Sequence, residues 1–161
     1  VDPRNKNLGA RVIINLEKLY MSIKKLGLKL GDAKKYYEMS HKLGIAQVNT
    51  AQLKEKIFSL ECNFEELNGI DFKKGCFIGQ ENTARMKLKE KISRRLYPVE
   101  IIEGKISIDD IITSNNNEIG KIVNNTKFSF GLFKFKDPNF KLEEILTTEK
   151  AKFKVKKPFW Y

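Results

Sequence analysis

Apolar positions near the start of the chain predict a buried strand. Residues 11–16 read RVIINL and follow Gly9, and their β-branched side chains favour extended backbone. Apolar residues continue at helical spacing over 17–30, but Gly27 and Gly31 interrupt that spacing, and glycine weakens a helix interior. The pattern therefore assigns no element to residues 17–30.

A helix is predicted over residues 33–43. The Asp32 side chain can accept hydrogen bonds from the free amides of the first turn, and Gly44 is typical of the residue that ends a helix. The apolar stripe of this helix consists of Tyr36, Met39 and Leu43. His41 is interpreted as a surface or boundary residue, because the sequence holds no second histidine and no partner for a ligand or base is identifiable.

Two shorter helices are predicted in the middle of the chain. Asn63 can cap a single turn over residues 64–67, which contains acidic residues that favour the positive end of the helix dipole, and Gly69 can end it. A further helix is predicted to begin over residues 80–86.

After residue 93, the sequence pattern favours short β-strands. Short apolar runs alternate with turn signals rich in Asn, Gly, Asp and Pro, at 95–102, 105–108, 118–123 and 127–135. Closely spaced short strands predict a small antiparallel barrel or sandwich of about 65 residues. The final residues, 156–161, are interpreted as either its closing strand or a frayed tail.

The last of these runs is rich in phenylalanine and has two faces. Strand alternation places one set of side chains on each face, Phe128, Phe130, Leu132 and Lys134 against Ser129, Gly131, Phe133 and Phe135. Exposed aromatic side chains on a strand can stack nucleic-acid bases. Core packing is the favoured interpretation, because a small barrel must fill its interior with large side chains.

Charge adds the expectation of an anionic ligand, but only in one region. The net charge is +11, and 26 of the 31 basic residues are lysines, a composition that solvated lysine faces also explain. Residues 73–95 alone hold eight basic residues against two acidic ones. Such a local excess favours carboxylate or phosphate ligands, whereas a protein that binds duplex DNA should spread its charge along one face.

Cysteine content and hydropathy exclude several protein classes. Cys62 and Cys76 are too few for a disulfide framework, and with the single His41 they cannot complete a four-ligand zinc site, so no metal site is predicted. No apolar run approaches the ~20 residues that span a bilayer, and the first residues resemble neither a signal nor a transit peptide. We expect a soluble protein in a reducing compartment.

The densest run of unusual residues surrounds Cys76. Gly75 and Gly79 bracket it and permit close approach of the backbone to a ligand. Lysines at 73 and 74 and the helix predicted to follow would favour the thiolate form of Cys76. Free cysteines also commonly fill space in a core, so Cys76 is interpreted as either a reactive thiol or a buried inert one. Cys62 lacks such surroundings and is interpreted as structural.

The segment at 74–81, KGCFIGQE, resembles the signature K-G-C-[YF]-x-G-Q-E of the YgfZ family. These are folate-binding proteins related to the glycine-cleavage aminomethyltransferase, or T-protein, and they take part in iron–sulfur cluster assembly. The likeness extends to D-P-R at 2–4, L-G-x-R at 8–11, L-E-x-N at 60–63, T-A-R at 83–85 and R-R-L-x-P-V at 94–99.

The resemblance implies an α+β fold in two parts. Residues 1–92 would form the second half of a T-protein-like body with ferredoxin-like α+β structure, and residues 93–161 would form a C-terminal antiparallel β-barrel. The first half of that body has no counterpart in this sequence. A folate pocket assembled between the halves is therefore expected to be incomplete here.

The resemblance also implies a function, namely folate binding that assists iron–sulfur cluster assembly or repair, with an indirect effect on tRNA modification. Cys76 would be the functional thiol, in contact with a cluster, a persulfide or an oxidised intermediate. Gly75 and Gly79 would shape the loop that presents it.

The cofactor implied by the resemblance is tetrahydrofolate or a derivative. Gln80 and Glu81 would contact the pterin ring or orient the loop. Lys74 and Arg85 would meet the anionic tail of the folate.

Two other functions remain open. One is a folate-dependent aminomethyltransferase, although the catalytic aspartate of the T-protein belongs to the half that is absent here, so a binding protein is favoured over an enzyme. The other is a nucleic-acid-binding barrel, and direct nucleic-acid binding is disfavoured. The expected partners are folate and iron–sulfur assembly proteins or client enzymes, not a membrane. The expected location is cytoplasmic in a bacterium and the mitochondrial matrix in a eukaryote.

Overall fold

Three α-helices precede six strands in the part of the chain that the structure describes. The structure is a computed structural model, and it describes residues 1–47, 53–75 and 78–161. A short 3₁₀ turn at Lys6–Leu8 is followed by α1 (Leu16–Lys25), α2 (Ala33–Lys42) and α3 (Glu81–Leu88). The strands are β1 (Arg95–Gly104), β2 (Ile111–Ser114), β3 (Asn117–Asn124), β4 (Ser129–Phe133), β5 (Ile145–Thr147) and β6 (Ala151–Val155). Within these ranges, no helix has the length and apolar character needed to cross a bilayer.

The strands close into an antiparallel barrel in the order β1-β4-β3-β2-β5-β6. β1 pairs with β4 on one side and β6 on the other, so Leu96 lies opposite Leu132 and Val99 lies opposite Val155. Closure satisfies the strand edges, which would otherwise be open to pairing with another chain. The predicted α+β class and the predicted small antiparallel barrel are confirmed.

Large apolar side chains fill the barrel interior. The core includes Tyr97, Ile112, Ile119, Ile122, Phe133, Phe153 and Val155. Gly131 leaves space for this packing, because a Cβ at that position would lie 2.5 Å from a ring atom of Phe133. Core packing of the phenylalanine-rich run is confirmed, and neither Phe130 nor Phe133 is available to stack a base.

Two expectations about the barrel strands are wrong. Residues 105–108 do not form a strand, because the Ser107 amide donates to the Asp110 carboxylate at 2.7 Å and the chain turns there. Residues 156–161 are neither the closing strand nor a frayed tail. β6 closes the barrel, and the indole N–H of Trp160 donates to the carbonyl oxygen of Leu43 at 2.9 Å.

The predicted strand over residues 11–16 is also wrong. Val12 and Ile13 are exposed, and the Asn15 side chain accepts from the amide of Glu17 to cap α1, which the sequence pattern left unassigned. None of the residues in α1 is buried. β-branched residues therefore do not form a strand here, because no other described strand pairs with them.

Helix α2 is confirmed, together with its predicted N-cap and the glycine that follows its C-terminal end. The Asp32 carboxylate accepts from the amide of Lys34, and Gly44 follows the helix with a φ of 75°. Its buried face differs from the predicted stripe, since Ser40 and His41 are its buried residues. The interpretation of His41 as a surface or boundary residue is wrong, because only 6% of it is exposed.

Residues 64–67 form a single turn, in which the Leu67 amide donates to the carbonyl oxygen of Asn63 at 3.0 Å, but the predicted cap at Asn63 is wrong. Asn63 takes a φ of 62°, outside the range of a helix cap, and its side-chain amide donates to the carbonyl oxygen of Leu96 at 2.8 Å. The segment follows a series of turns across the outside of the barrel. A second apolar cluster lies beneath it, formed by Leu53, Cys62, Leu96, Val123, Phe130 and Leu132.

Candidate functional site

Helix α3 begins immediately after the glycine-bracketed motif. Gly79 has a φ of 92°, a left-handed conformation that favours glycine, and Gln80 precedes the first helical residue, Glu81. The predicted helix over residues 80–86 is thus confirmed as α3. Glu81 in the first turn complements the positive end of the helix dipole.

Cys76, the predicted functional thiol, lies outside the described residues together with position 77. The other cysteine, Cys62, is buried against the barrel. Burial, and secondarily the carboxylate of Glu61, raise the pKa of the Cys62 thiol to about 12. A thiol that stays protonated and buried is a poor nucleophile, which agrees with the structural role predicted for Cys62.

A cavity of about 420 Å³, which we call the motif cavity, opens beside the start of α3. Its walls are Ser59, Phe64, Gly69, Ile70, Asp71, Phe72, Lys74, Gly79, Gln80, Thr83 and Ala84. Three of the predicted site residues, Lys74, Gly79 and Gln80, are therefore brought together. The other described ones, Gly75, Glu81 and Arg85, are exposed and are not part of this lining.

The motif cavity combines aromatic surface with polar groups. Phe64 and Phe72 supply flat apolar walls, and the ammonium group of Lys87 lies 5.6 Å from the centre of the Phe72 ring. Lys87 also donates to both carboxylate oxygens of Glu65 at 2.7 Å. Gln80 offers an amide that can both donate and accept, so the cavity suits a flat ring with polar edges.

A second cavity of about 270 Å³, which we call the arginine cavity, lies next to the first and shares Phe64 and Gly69 with it. Its polar lining includes Arg4, Arg11 and Gln47. Gly69 packs closely against Phe64, because a Cβ at that position would lie 3.2 Å from the Phe64 ring.

Asp2 organises the two arginines of the arginine cavity. Its buried carboxylate accepts from Arg4 at 3.0 Å and from Arg11 at 2.8 Å. The hydrogen bond from the Arg4 side chain is the main cause that holds the pKa of this carboxyl well below its usual range. The carboxylate therefore stays ionised at neutral pH and holds the arginines beside the cavity.

Sequence reasoning did not assign a ligand role to the aromatic walls or to the arginines. In the sequence, Arg4 and Arg11 were recognised only as parts of the D-P-R and L-G-x-R elements. The spacing of those elements was the available signal, but it does not reveal that the arginines meet Phe64, which is more than fifty positions away in the chain. No group of three or more His, Cys, Asp or Glu side chains within residues 1–47, 53–75 and 78–161 is arranged to hold a metal ion.

The chain is similar to a set of curated proteins over part of its length. It is 30% identical over 125 residues to the human protein named iron-sulfur cluster assembly factor IBA57, mitochondrial. It is 34% identical over 100 residues to the IBA57 homolog of Dictyostelium discoideum and 39% identical over 61 residues to that of Aspergillus oryzae. The two homologs are also named as mitochondrial iron-sulfur cluster assembly factors.

Each of these matches covers a minor share of the relative. The aligned regions are 74%, 62% and 38% of this chain but 34%, 24% and 14% of the human, Dictyostelium and Aspergillus proteins respectively. The chain thus spans about a third or less of the length of these relatives. No protein-family model matches the chain.

Proposed function

We propose that this chain acts in iron–sulfur cluster assembly and binds a tetrahydrofolate species in the adjacent motif and arginine cavities. The observation that carries the proposal is the convergence of Lys74, Gly79 and Gln80, from one short motif, on a cavity with the rings of Phe64 and Phe72. The names of the relatives support the role in cluster assembly. They also support a mitochondrial location if the source is a eukaryote.

The described residues fit a folate in size and in chemistry. A cavity of about 420 Å³ is within the usual range of small-molecule sites, and its neighbour extends the available length. The pterin is a flat ring with hydrogen-bonding edges, which suits the phenylalanine walls and the Gln80 amide. The carboxylates of the folate tail suit guanidinium groups, which bind carboxylates through paired N–H donors.

Two of the predicted site residues line the motif cavity with polar side chains, so Gln80 would contact the pterin and Lys74 would meet the anionic tail. Glu81 and Arg85 are exposed and lie outside that lining, so the proposal assigns them no contact with the folate. Arg4 and Arg11 are added as a second group of cations for that tail, since they line the adjoining cavity.

Cys76 remains the proposed functional thiol, with Gly75 and Gly79 shaping its loop. The cluster itself would be cargo, passed on to client enzymes or to other assembly proteins, and the effect on tRNA modification would follow from clients that modify tRNA. The residues of this chain are proposed to bind and orient the folate and to present the thiol. The proposal assigns binding and assembly rather than turnover.

The role of Cys76 can be tested in cells that lack the native gene. The full-length product with Cys76→Ser should fail to restore the activity of iron–sulfur enzymes, because serine does not supply a thiolate. Cys62→Ala is the matched control and should restore that activity, since Cys62 is buried against the barrel. Full restoration by Cys76→Ser would remove Cys76 from the function.

Folate binding can be tested by titrating the purified full-length protein with tetrahydrofolate. Gln80→Ala and Lys74→Ala should weaken binding about tenfold each, as expected for the loss of one polar contact to a buried ligand. Lys89→Ala is the control, because Lys89 follows α3 and is not part of the cavity lining. Absence of binding by the unmodified protein would contradict the proposal, and turnover with an aminomethyl-lipoyl carrier would favour the transferase instead.

A further inference from the structure

We propose that Arg94 and Arg95, at the start of the barrel, are positioning residues that hold one wall of the motif cavity in place. The wall in question is the turn segment of residues 58–67, which we call the wall segment. This inference rests on the proposed function, because it concerns the site where folate would bind. It adds to that function a mechanical role for the first barrel strand.

Arg94 holds the first half of the wall segment through Glu61. The guanidinium group donates to one carboxylate oxygen of Glu61 at 2.8 Å and to the other at 3.4 Å. Glu61 is 97% buried, and the amide of Phe58 also donates to its carboxylate at 3.1 Å. A buried carboxylate needs such partners, so Arg94, which immediately precedes β1, provides a charge-assisted anchor for the wall segment.

Arg95 holds the second half of the wall segment. Its guanidinium group forms an ion pair with Glu66 and donates to the side-chain oxygen of Asn63 at 3.3 Å. The rings of Phe135 and Tyr161 lie 5.4 Å and 5.1 Å from the guanidinium carbon and restrict its movement. Arg95 is thus fixed by the barrel and in turn fixes the wall segment.

The backbone of the wall segment is attached at the same place. The amide of Leu96 donates to the carbonyl oxygen of Glu61 at 2.8 Å, and the Asn63 side chain donates to the carbonyl oxygen of Leu96 at 2.8 Å. Arg94 and the first two residues of β1 therefore hold three residues of the wall segment, namely Glu61, Asn63 and Glu66.

The wall segment depends on these contacts because it has no regular secondary structure. It supplies Ser59 and Phe64 to the motif cavity, and Phe64 also lines the arginine cavity. A shift of the wall segment would therefore change both cavities at once. Ligand binding and the position of the wall segment are thermodynamically coupled. A ligand that binds only when the wall segment is in this position must therefore also stabilise this position.

The attachment can be measured without any ligand through Cys62, which faces the barrel from the wall segment. The experiment uses the full-length protein with Cys76→Ser and with any further cysteines replaced, so that Cys62 is the thiol that reacts. The rate at which Cys62 reacts with a disulfide reagent then reports how often the wall segment moves away from the barrel. Arg94→Gln should raise that rate about tenfold, because it leaves the Glu61 carboxylate without its charged partner. Arg94→Lys keeps the charge and should restore part of the protection.

Lys152→Gln is the matched control for the loss of one ion pair. Lys152 pairs with Glu103 on the barrel, where both side chains are exposed and neither lines the two cavities. It should leave Cys62 reactivity unchanged. Equal Cys62 reactivity in the unmodified protein and in both Arg94 variants would overturn the proposed attachment.

The positioning role is tested by two readouts of the folded protein. With Cys76 intact, Arg94→Gln should raise the dissociation constant for tetrahydrofolate about tenfold, and 4-fluorophenylalanine at position 64 should show a shifted ¹⁹F resonance. A purely structural role would lower the free energy of unfolding but leave both readouts of the folded protein unchanged, and that result would overturn the inference. If the unmodified protein binds no folate, the proposed function fails, and the ¹⁹F and Cys62 measurements still decide whether Arg94 positions the wall.

Discussion

His41 is held as a neutral side chain between α2 and the barrel. The amide of Gln47 donates to Nε2 at 3.3 Å, while Nδ1 lies 3.4 Å from the Thr126 hydroxyl oxygen. The ring also packs edge-on against Phe130, with 5.2 Å between ring centroids. Burial lowers the pKa of His41, because a charged imidazolium would lose its hydration there.

This environment predicts a specific pH dependence of stability. Because the folded pKa is lowered, the unfolded chain takes up the proton first, and the free energy of unfolding should decrease as pH falls below the ordinary histidine pKa of about 6.5. The decrease should level off once pH passes the folded pKa. Denaturant titrations at a series of pH values would measure it.

The control for this measurement is His41→Gln, whose side-chain oxygen can still accept from the Gln47 amide but does not titrate. His41 is the single histidine in the sequence, so the difference between the two proteins isolates its titration. Identical pH profiles for the unmodified protein and the variant would contradict the buried neutral state.

At the scale of elements, α1 and α2 have similar lengths and caps but different attachments. Each has ten residues and an Asx side chain that accepts from an amide in the first turn. α2 buries Ser40 and His41, whereas no residue of α1 is buried. Because helices gain most of their stability from tertiary packing, α2 should unfold with the whole molecule and α1 should open on its own.

Removing the two caps should therefore have unequal effects on global stability. Asp32→Ala should lower the free energy of unfolding by about 1 kcal/mol, the usual contribution of an N-cap. Asn15→Ala removes the matching cap from α1 and should change global unfolding much less, because α1 adds little to the folded core. Denaturant unfolding would compare them, and an equal loss in both variants would show that α1 belongs to the cooperative unit.

At the scale of the whole molecule, the barrel has an interior and a covered outer face. The interior core is formed entirely by residues that follow position 93. The outer face carries Leu96, Phe130 and Leu132 against Leu53 and Cys62 from the preceding part of the chain. The packing of the barrel interior is thus made within residues 93–161, whereas one outer face of the barrel is covered by residues from earlier in the chain.

This division predicts that the fragment of residues 93–161 folds as a barrel, as the proposed boundary between 1–92 and 93–161 requires. Leu132→Ala tests it sharply. In the full chain it should cost about 2–5 kcal/mol, as for other large-to-small core substitutions. In the fragment it should cost far less, because the covering residues are absent and Leu132 is already exposed to water.

Dispersed amide resonances and near-ultraviolet circular dichroism would identify a folded fragment. A disordered fragment would move the domain boundary, and an equal cost of Leu132→Ala in both proteins would contradict the outward packing of this side chain.

Several residues of the candidate site could not be predicted from the sequence, because only tertiary packing brings them together. The resemblance of residues 74–81 to a family signature predicted Lys74, Gly79 and Gln80 as site residues, because a signature of this kind is a local property of the sequence. Phe64 and the arginines of the second cavity come from distant parts of the chain, and only packing brings them together. The grip of Arg94 on Glu61 joins residues 33 positions apart, which no local pattern indicates.

The sequence by itself determined the elements whose causes are local. Asp32 and Gly44 bound α2, and apolar runs separated by turn-forming residues predicted β1, β3 and β4, which are three of the six strands in the described part of the chain. Tertiary structure alone decided where a side chain with more than one stable environment would lie. Residues 11–16 have strand composition, but no strand among the described residues pairs with them, and His41 is buried because the barrel covers it. Hydrogen bonding along a helix is satisfied within the segment itself, whereas pairing of a strand and burial of a polar ring require partners that the rest of the fold must supply.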